Sequence, residues 1–121
     1  WCDRMRVHFD LILNQNIDDE IVDKKIHEID SMLYMSLWYG LLYVVIEGWE
    51  ELKLDNQEIN ELLKSDNTNL LKRYRNGVFH FQADYNNERF VNFFKEPKTV
   101  AWAHKLNEEF SQFFLNYFVN K

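Results

Sequence analysis

The segment MLYMSLWYGLLYVVIEGWEEL, residues 32–52, would be apolar on nearly every side of a helix. A helix of this kind is stable in water only when other helices cover it from several directions. Ser31 directly precedes the segment and is predicted to cap its N-terminus. The longest apolar run, residues 32–46, falls short of the roughly 20 residues that cross a bilayer. We therefore predict the buried central helix of a globular bundle and no membrane association.

The composition favours an all-α domain around this helix. The chain has 121 residues, enough for one domain, and 46% of them are hydrophobic and 17% aromatic. Three glycines and one proline supply little of the turn chemistry that a many-stranded sheet requires. We predict a single all-α domain over residues 1–121.

Helical periodicity continues on both sides of the central segment. Before it, the pattern predicts a helix over residues 4–14 and another from about Asp18, or a single bent helix in place of the two. The helices predicted after it are a short one from Asp55 or Asn56, one from Asn67 or Thr68 that contains RNGVFH, the brief ERFVNFF, and a last one over residues 98–118 that follows Pro97. Together these segments predict an antiparallel bundle of about four to six helices.

Charge and motifs restrict the function. The net charge of −6 argues against general binding to nucleic acid. Lys64, Lys72, Arg73 and Arg75 nevertheless lie in one short stretch with only Asp66 against them, where a polyanion would be met. The sequence contains no HExxH, P-loop or GxGxxG motif, and we predict no metal and no cofactor. The single cysteine and the lack of a visible secretory signal predict a cytoplasmic protein.

RNGVFH, residues 75–80, is the unusual part of an otherwise ordinary amphipathic helix. At 100° per residue, Leu71, Tyr74, Val78 and Phe81 form the stripe predicted to face the core, and His80 lies roughly opposite. Asn76 lies one turn from His80 on the same face, and Gly77 would let another backbone approach closely. This pattern is either a solvated polar face with an incidental histidine or an outward site that a second subunit or a ligand encloses.

Arg75, Asn76 and His80 resemble the Arg–polar–xxx–His signature of the HEPN superfamily. The order of a long apolar helix, a shorter connection, the motif helix and terminal helices is also similar to HEPN domains. The resemblance implies a metal-independent endoribonuclease that acts on RNA, as a toxin or in antiphage defence. It also implies a homodimer, with an antitoxin or other regulatory protein as a further partner.

The predicted chemistry needs a base, an acid and a positive charge at the scissile phosphate. A histidine can take or give a proton at neutral pH, and an arginine can hold a phosphate with paired donors. Asn76 could orient the imidazole or bind the phosphate. Because His80 cannot be base and acid in one step, two copies of the motif are expected to meet in a two-fold dimer.

Further residues are predicted to support this site. Glu47 is expected to brace Arg75 or His80, unless it only marks the exposed end of its helix. Lys72 and Arg73 are expected to steer the RNA backbone, unless they form a solvated basic turn. HEPN toxins silenced by adenylylation carry a tyrosine two places after the histidine, where this chain has Gln82, although Tyr85 is nearby.

Two other functions fit the same residues. One is a catalytically silent HEPN-like domain whose arginine and histidine only stabilise a dimer or bind a partner. The other is a helical module whose acidic surface binds a basic protein, such as an antitoxin of the nucleotidyltransferase type. Cleavage of RNA without divalent metal would separate the ribonuclease from both.

Overall fold

The structure is a computed structural model that describes residues 1–17, 21–84 and 87–121, and these residues form helices and no strand. The helices are α1 (Cys2–Leu13), α2 (Ile21–Glu51), α3 (Gln57–Leu63), α4 (Asn67–Phe79), α5 (Glu88–Phe94) and α6 (Pro97–Val119). The predicted all-α helical bundle is confirmed. Helices α2 and α4 run antiparallel, because Arg75 lies against Glu47 whereas Phe79, one turn later, lies against Gly40.

Helix α2 is the core helix that its apolar circumference predicts. Trp38 is fully buried, stacks on Tyr39, and packs against Phe9 of α1 and His104 of α6. Tyr39 in turn contacts the rings of Tyr74, Phe93 and Phe94 on α4 and α5. Aromatic contacts of this kind stabilise a core beyond the burial of area. One helix therefore holds four others through its aromatic side chains.

The expected break before the central helix is absent. Ser31 lies within α2, so its predicted role as an N-cap is wrong, and its buried Oγ has no hydrogen-bond partner within the described part of the chain. A serine inside a helix lowers the free energy of unfolding by only about 0.5 kcal/mol relative to alanine. A break at Ser31 would cost more, because a turn of backbone hydrogen bonds would be lost. The predicted start near Asp18 lies outside the described residues.

The length of α2 also changes the comparison with a membrane span. The apolar run considered in the sequence, residues 32–46, is part of a longer helical segment, Asp23–Glu51, which is long and apolar enough to cross a bilayer by length and composition alone. Core helices of globular bundles pass the same test. The buried Leu42 and Ile46, together with Trp38 and Tyr39, show that α2 is covered by protein along its central turns.

Polar side chains fix the ends of the shorter helices. The Oδ1 atom of Asn56 accepts from the backbone N–H of Ile59 at 3.1 Å and caps α3, as the sequence predicts. Asn87 caps α5 in the same way through the N–H of Arg89. Pro97 is the first residue of α6, where its missing N–H carries no penalty.

A buried asparagine joins three helices at the other side of the core. Asn107 of α6 accepts from Trp38 Nε1 at 3.1 Å and from Cys2 Sγ at 3.3 Å, and it donates to Asp3 Oδ1 at 3.1 Å. Its polar atoms are thereby satisfied although the residue is buried. This network fixes α1 against α2 and α6.

Candidate active site

Helix α4 presents the core stripe predicted for it, but only as far as its end. Leu71 and Tyr74 are buried, and Val78 packs against the core. Phe81, predicted to continue the stripe, is 95% exposed, so that prediction is wrong. The helix ends at Phe79, and His80 has extended dihedral angles (φ −123°, ψ 141°). The prediction for Phe81 assumes a rotation of 100° per residue, and this assumption does not hold after the helix ends.

Arg75 is held by groups of its own chain. Its Nη2 donates to Glu47 Oε2 at 2.9 Å, and its Nη1 donates to Asn76 Oδ1 at 3.0 Å. The guanidinium carbon lies 5.8 Å from the centre of the Tyr43 ring, one turn before Glu47 on α2. These contacts set the direction of the guanidinium and leave further Nη hydrogens for a ligand.

The expected pairing of Glu47 with Arg75 is present in the structure. The alternative, that Glu47 marks the end of its helix, is wrong because α2 continues to Glu51. The side chains of Arg75 and Glu47 are 27% and 43% exposed, so the pair is partly screened by water. Nε of Arg75 is buried and has no hydrogen-bond partner among the described residues, which leaves it able to donate to a ligand only if a neighbour moves.

Tyr43 is a member of this cluster that sequence reasoning missed. Burial raises the pKa of the Tyr43 hydroxyl, and the charges of Glu47 and Glu50 raise it further, whereas Arg75 lowers it. The hydroxyl is therefore neutral at physiological pH and cannot act as a general base. The available signal in the sequence was its position four residues before Glu47, on the same face of a helix.

His80 is the exposed C-cap residue of α4. Its imidazole makes no hydrogen bond to another residue in the described part of the chain, whereas its carbonyl oxygen accepts from Gln82 Nε2 at 2.9 Å. Asn76, expected to orient the imidazole, is instead engaged with Arg75. The chain thus fixes the guanidinium of the motif and leaves the imidazole accessible at the surface.

A cavity of about 760 Å³ opens beside His80, between the N-terminal half of α2 and helices α4 and α5. Ser36 Oγ and Tyr74 OH, 3.0 Å apart, share a hydrogen bond at its inner side, and burial raises the pKa of Tyr74. The remaining walls are mainly apolar and include Ile29, Met32, Leu33, Val78, Phe90 and Phe94. This cavity could not be predicted from the sequence, because its walls come from three helices.

The glycine of the motif has a different role from the one predicted. A Cβ on Gly77 would lie 2.8 Å from Cε1 of Phe90, so the space beside Gly77 is filled by a ring of α5. Gly77 admits a side chain of its own chain rather than the backbone of another subunit. Gly40 of α2 similarly accommodates the ring of Phe79, since a Cβ on Gly40 would lie 2.7 Å from Cε2 of that ring.

The basic stretch is partly neutralised within the chain. Arg73 Nη2 lies 2.8 Å from Glu88 Oε1, and Lys64 pairs with Glu61. Both pairs are exposed, and such pairs contribute at most about 1 kcal/mol, so a phosphate could displace them. Lys72 is exposed on α4.

Among the described residues, no three His, Cys, Asp or Glu side chains are grouped so as to hold a metal ion. Tyr85 lies outside the described residues.

Comparisons of this chain with protein-family models, with curated proteins and with solved structures find no match. The resemblance to HEPN domains stays a prediction from Arg75, Asn76, His80 and the order of the helices.

Proposed function

We propose that this chain is a metal-independent endoribonuclease of HEPN type that acts as a toxin or antiphage effector. The observation that carries the proposal is the arrangement of the motif at the end of α4. Arg75 is fixed by Glu47 and Asn76, and His80 is exposed at the last turn with its imidazole unengaged by the described residues. An oriented cation and an accessible acid–base group are the two kinds of group that cleavage of a phosphodiester requires, and the chain carries them five residues apart.

The reaction is an intramolecular transfer at phosphorus. A neutral imidazole takes the proton of the RNA 2′-OH, and the 2′-oxygen forms a bond to phosphorus. The bond from phosphorus to the 5′-oxygen breaks, and an imidazolium gives that oxygen its proton. Arg75 holds the non-bridging oxygens, on which negative charge increases in the transition state. The products are a 2′,3′-cyclic phosphate and a 5′-hydroxyl.

The proposal requires two copies of the chain, because each supplies one motif histidine. The chain exposes 8549 Å², whereas a compact monomer of its mass, 14.8 kDa, exposes about 7,000 Å². A standard protein–protein interface removes about 800 Å² of accessible surface from each partner. The exposed area of this chain exceeds that of a compact monomer by more than this amount. Part of the exposed surface is apolar and borders the cavity beside His80, at Ile29 and Leu33. The exposed apolar side chains of Ile29 and Leu33 beside His80 support association of two copies through this side of the bundle.

The test is cleavage of total RNA by purified protein in the presence of EDTA, with analysis of the ends for 2′,3′-cyclic phosphate. We expect His80→Ala to abolish cleavage and to leave the fold intact, since the side chain is exposed. His27→Ala, a change of another histidine on α2, is the matched control and should retain activity. Full activity of His80→Ala, or complete loss of activity with EDTA, would refute the mechanism.

A mixed dimer tests whether two histidines act together. Two differently tagged copies, one wild type and one carrying His80→Ala, can be co-expressed and purified through both tags. If base and acid come from different copies, this heterodimer should be nearly as inactive as the His80→Ala homodimer. Half of the wild-type activity would mean that each copy cleaves RNA alone.

One observation favours the alternative of a catalytically silent domain. Arg75 already has a carboxylate partner in its own chain, and Arg73 has another, so both could be structural. Under this alternative, sedimentation would show the dimer while no cyclic phosphate would form at any RNA concentration. The same two measurements therefore separate the two functions.

A further inference from the structure

We propose that Phe81 is a stacking platform for an unpaired RNA base beside the scissile phosphate, so that the substrate is single-stranded where it is cut. This inference rests on the proposed function, and it names the class of RNA that the site accepts.

The exposure of Phe81 is the first observation. Its ring is 95% exposed, whereas the ring of Phe79, two residues earlier, is 50% exposed and rests on Gly40. An isolated apolar side chain on a surface needs no explanation in general. Phe81, however, directly follows the histidine that the mechanism places at the phosphate. Neighbouring Cα atoms are about 3.8 Å apart, so the ring lies within reach of a base attached to the same nucleotide.

The backbone conformation is the second observation. Because His80 is extended, the side chains of His80 and Phe81 leave the chain on different sides. An imidazole and a ring placed in this way can engage different parts of one nucleotide, its phosphate and its base. In a continued helix, Phe81 would have turned towards the core stripe with Val78 and Tyr74.

Contacts of Gln82 supply the third observation. Gln82 Nε2 donates to the carbonyl oxygen of His80 at 2.9 Å, and Gln82 Oε1 accepts from Arg89 Nη1 at 3.5 Å. These contacts restrain the segment that carries Phe81 and bring a guanidinium of α5 to it. Proteins bind single-stranded nucleic acid by combining exposed aromatic rings with positively charged groups, and the contact with Gln82 attaches the Arg89 guanidinium to the segment that carries Phe81. Both faces of a base within a duplex are covered by its neighbours, which excludes a duplex from this arrangement.

The experiment measures binding with an RNA that cannot be cleaved. A fluorescent single-stranded octanucleotide with 2′-O-methyl groups throughout is titrated with the wild-type protein and its variants, and fluorescence anisotropy gives Kd. We expect Phe81→Ala to weaken binding about 5- to 150-fold, which corresponds to about 1–3 kcal/mol for one stacked base. Phe81→Trp should bind within about threefold of wild type, and Phe81→Leu should behave like Phe81→Ala, since an aliphatic side chain cannot stack.

A matched control and a modified ligand make the test specific. Phe118, 72% exposed near the end of α6, is another exposed phenylalanine, and Phe118→Ala should leave Kd unchanged. An octanucleotide with one abasic position at the contacted base should bind the wild type more weakly. It should bind Phe81→Ala no more weakly than the complete octanucleotide does, because the two changes remove the same contact.

The outcomes distinguish this inference from the proposed function. Unchanged binding by Phe81→Ala, or full binding by Phe81→Leu, would overturn the stacking role even if the wild type cleaves RNA. Dissociation of a dimer by Phe81→Ala in sedimentation would also overturn it and assign the ring to the subunit contact. Binding that depends on Phe81 without any cleavage of unmodified RNA would support the inference and reject the catalytic function. No binding of the octanucleotide by the wild type would overturn the inference.

Discussion

Replacement of Gly77 by alanine tests the packing that places the motif helix. A Cβ at this position would lie 2.8 Å from Cε1 and 2.9 Å from Cζ of Phe90. Carbon atoms in favourable contact are about 3.5–4.0 Å apart, so the ring or the helix must move by roughly 0.7 Å. Overpacking of this kind costs about 1–3 kcal/mol, whereas alanine gains about 0.8–1.0 kcal/mol over glycine within a helix. We expect a net loss of about 1 kcal/mol in the free energy of unfolding.

Gly48 provides the matched control. It also lies inside a helix, but a Cβ there would meet no atom within 4 Å. Gly48→Ala should therefore stabilise the protein by about 0.5–1 kcal/mol. The difference between the two alanine variants, about 1–3 kcal/mol, reports the contact with Phe90 alone, since the helix propensity is common to both.

Urea denaturation followed by circular dichroism measures both variants, and equal m-values would allow their midpoints to be compared. Phe90→Leu should destabilise the wild type and should cost less in the Gly77→Ala background, because it removes the clash. If Gly77→Ala is as stabilising as Gly48→Ala, the packing argument is refuted. Loss of dimerisation in that stable variant would then restore the view that Gly77 admits a second subunit.

Three further predictions concern the pair at Arg75, the buried tyrosine and the buried asparagine. Glu47→Gln should lower the free energy of unfolding by less than about 1 kcal/mol, because the pair with Arg75 is partly exposed. The same change should reduce kcat for RNA cleavage about 10- to 100-fold, because Arg75 loses its orientation. An unchanged kcat would contradict this role of Glu47. Burial raises the pKa of Tyr74 above its ordinary value of 10.0, so its contribution to stability is complete below pH 10.0 and is lost as the pH rises through the folded-state pKa. The urea midpoint should therefore fall in alkali, and Tyr74→Phe should show a smaller fall. Asn107→Leu should cost about 1–3 kcal/mol because Trp38 Nε1–H loses its buried acceptor, and an unchanged urea midpoint would count against this network.

The central helix could be predicted because one physical requirement dominates it. A segment that is apolar on all sides must be covered, and the central turns of α2 are covered by α1, α4, α5 and α6 through Trp38 and Tyr39, whereas Leu33 and Val44 are exposed. Its start could not be predicted in the same way. Ser31 is favourable both as an N-cap and, at small cost, inside a helix, and only the continuation of the backbone hydrogen bonds decides between the two.

The core residues of the motif helix α4 could be predicted from the sequence, but the end of this helix could not. Periodicity assigned Leu71 and Tyr74 to the core correctly, because they lie within α4. It failed at Phe81 because a projection assumes that the helix continues. Here α4 ends at Phe79 and α5 returns so that the ring of Phe90 fills the space beside Gly77. The packing at this end of α4 therefore involves a residue more than ten positions away, which a local pattern does not contain.

Arg75 and His80 differ in how far the surrounding chain orients their side chains, and this difference has a consequence for the proposed mechanism. A group that stabilises charge in a transition state is effective only if it is oriented beforehand, and Arg75 receives that orientation from Glu47, Asn76 and the Tyr43 ring. A group that transfers protons must instead reach the reacting oxygen when the substrate is bound, and the His80 imidazole is exposed at a helix end. Under the proposed function, assembly of two copies would supply what a single chain lacks, a second imidazole facing the first across the phosphate. Cleavage should therefore depend on protein concentration through the dimer, with a specific activity that falls on dilution below its dissociation constant. A specific activity that is constant over dilutions at which sedimentation shows only monomer would mean that one chain contains a complete site.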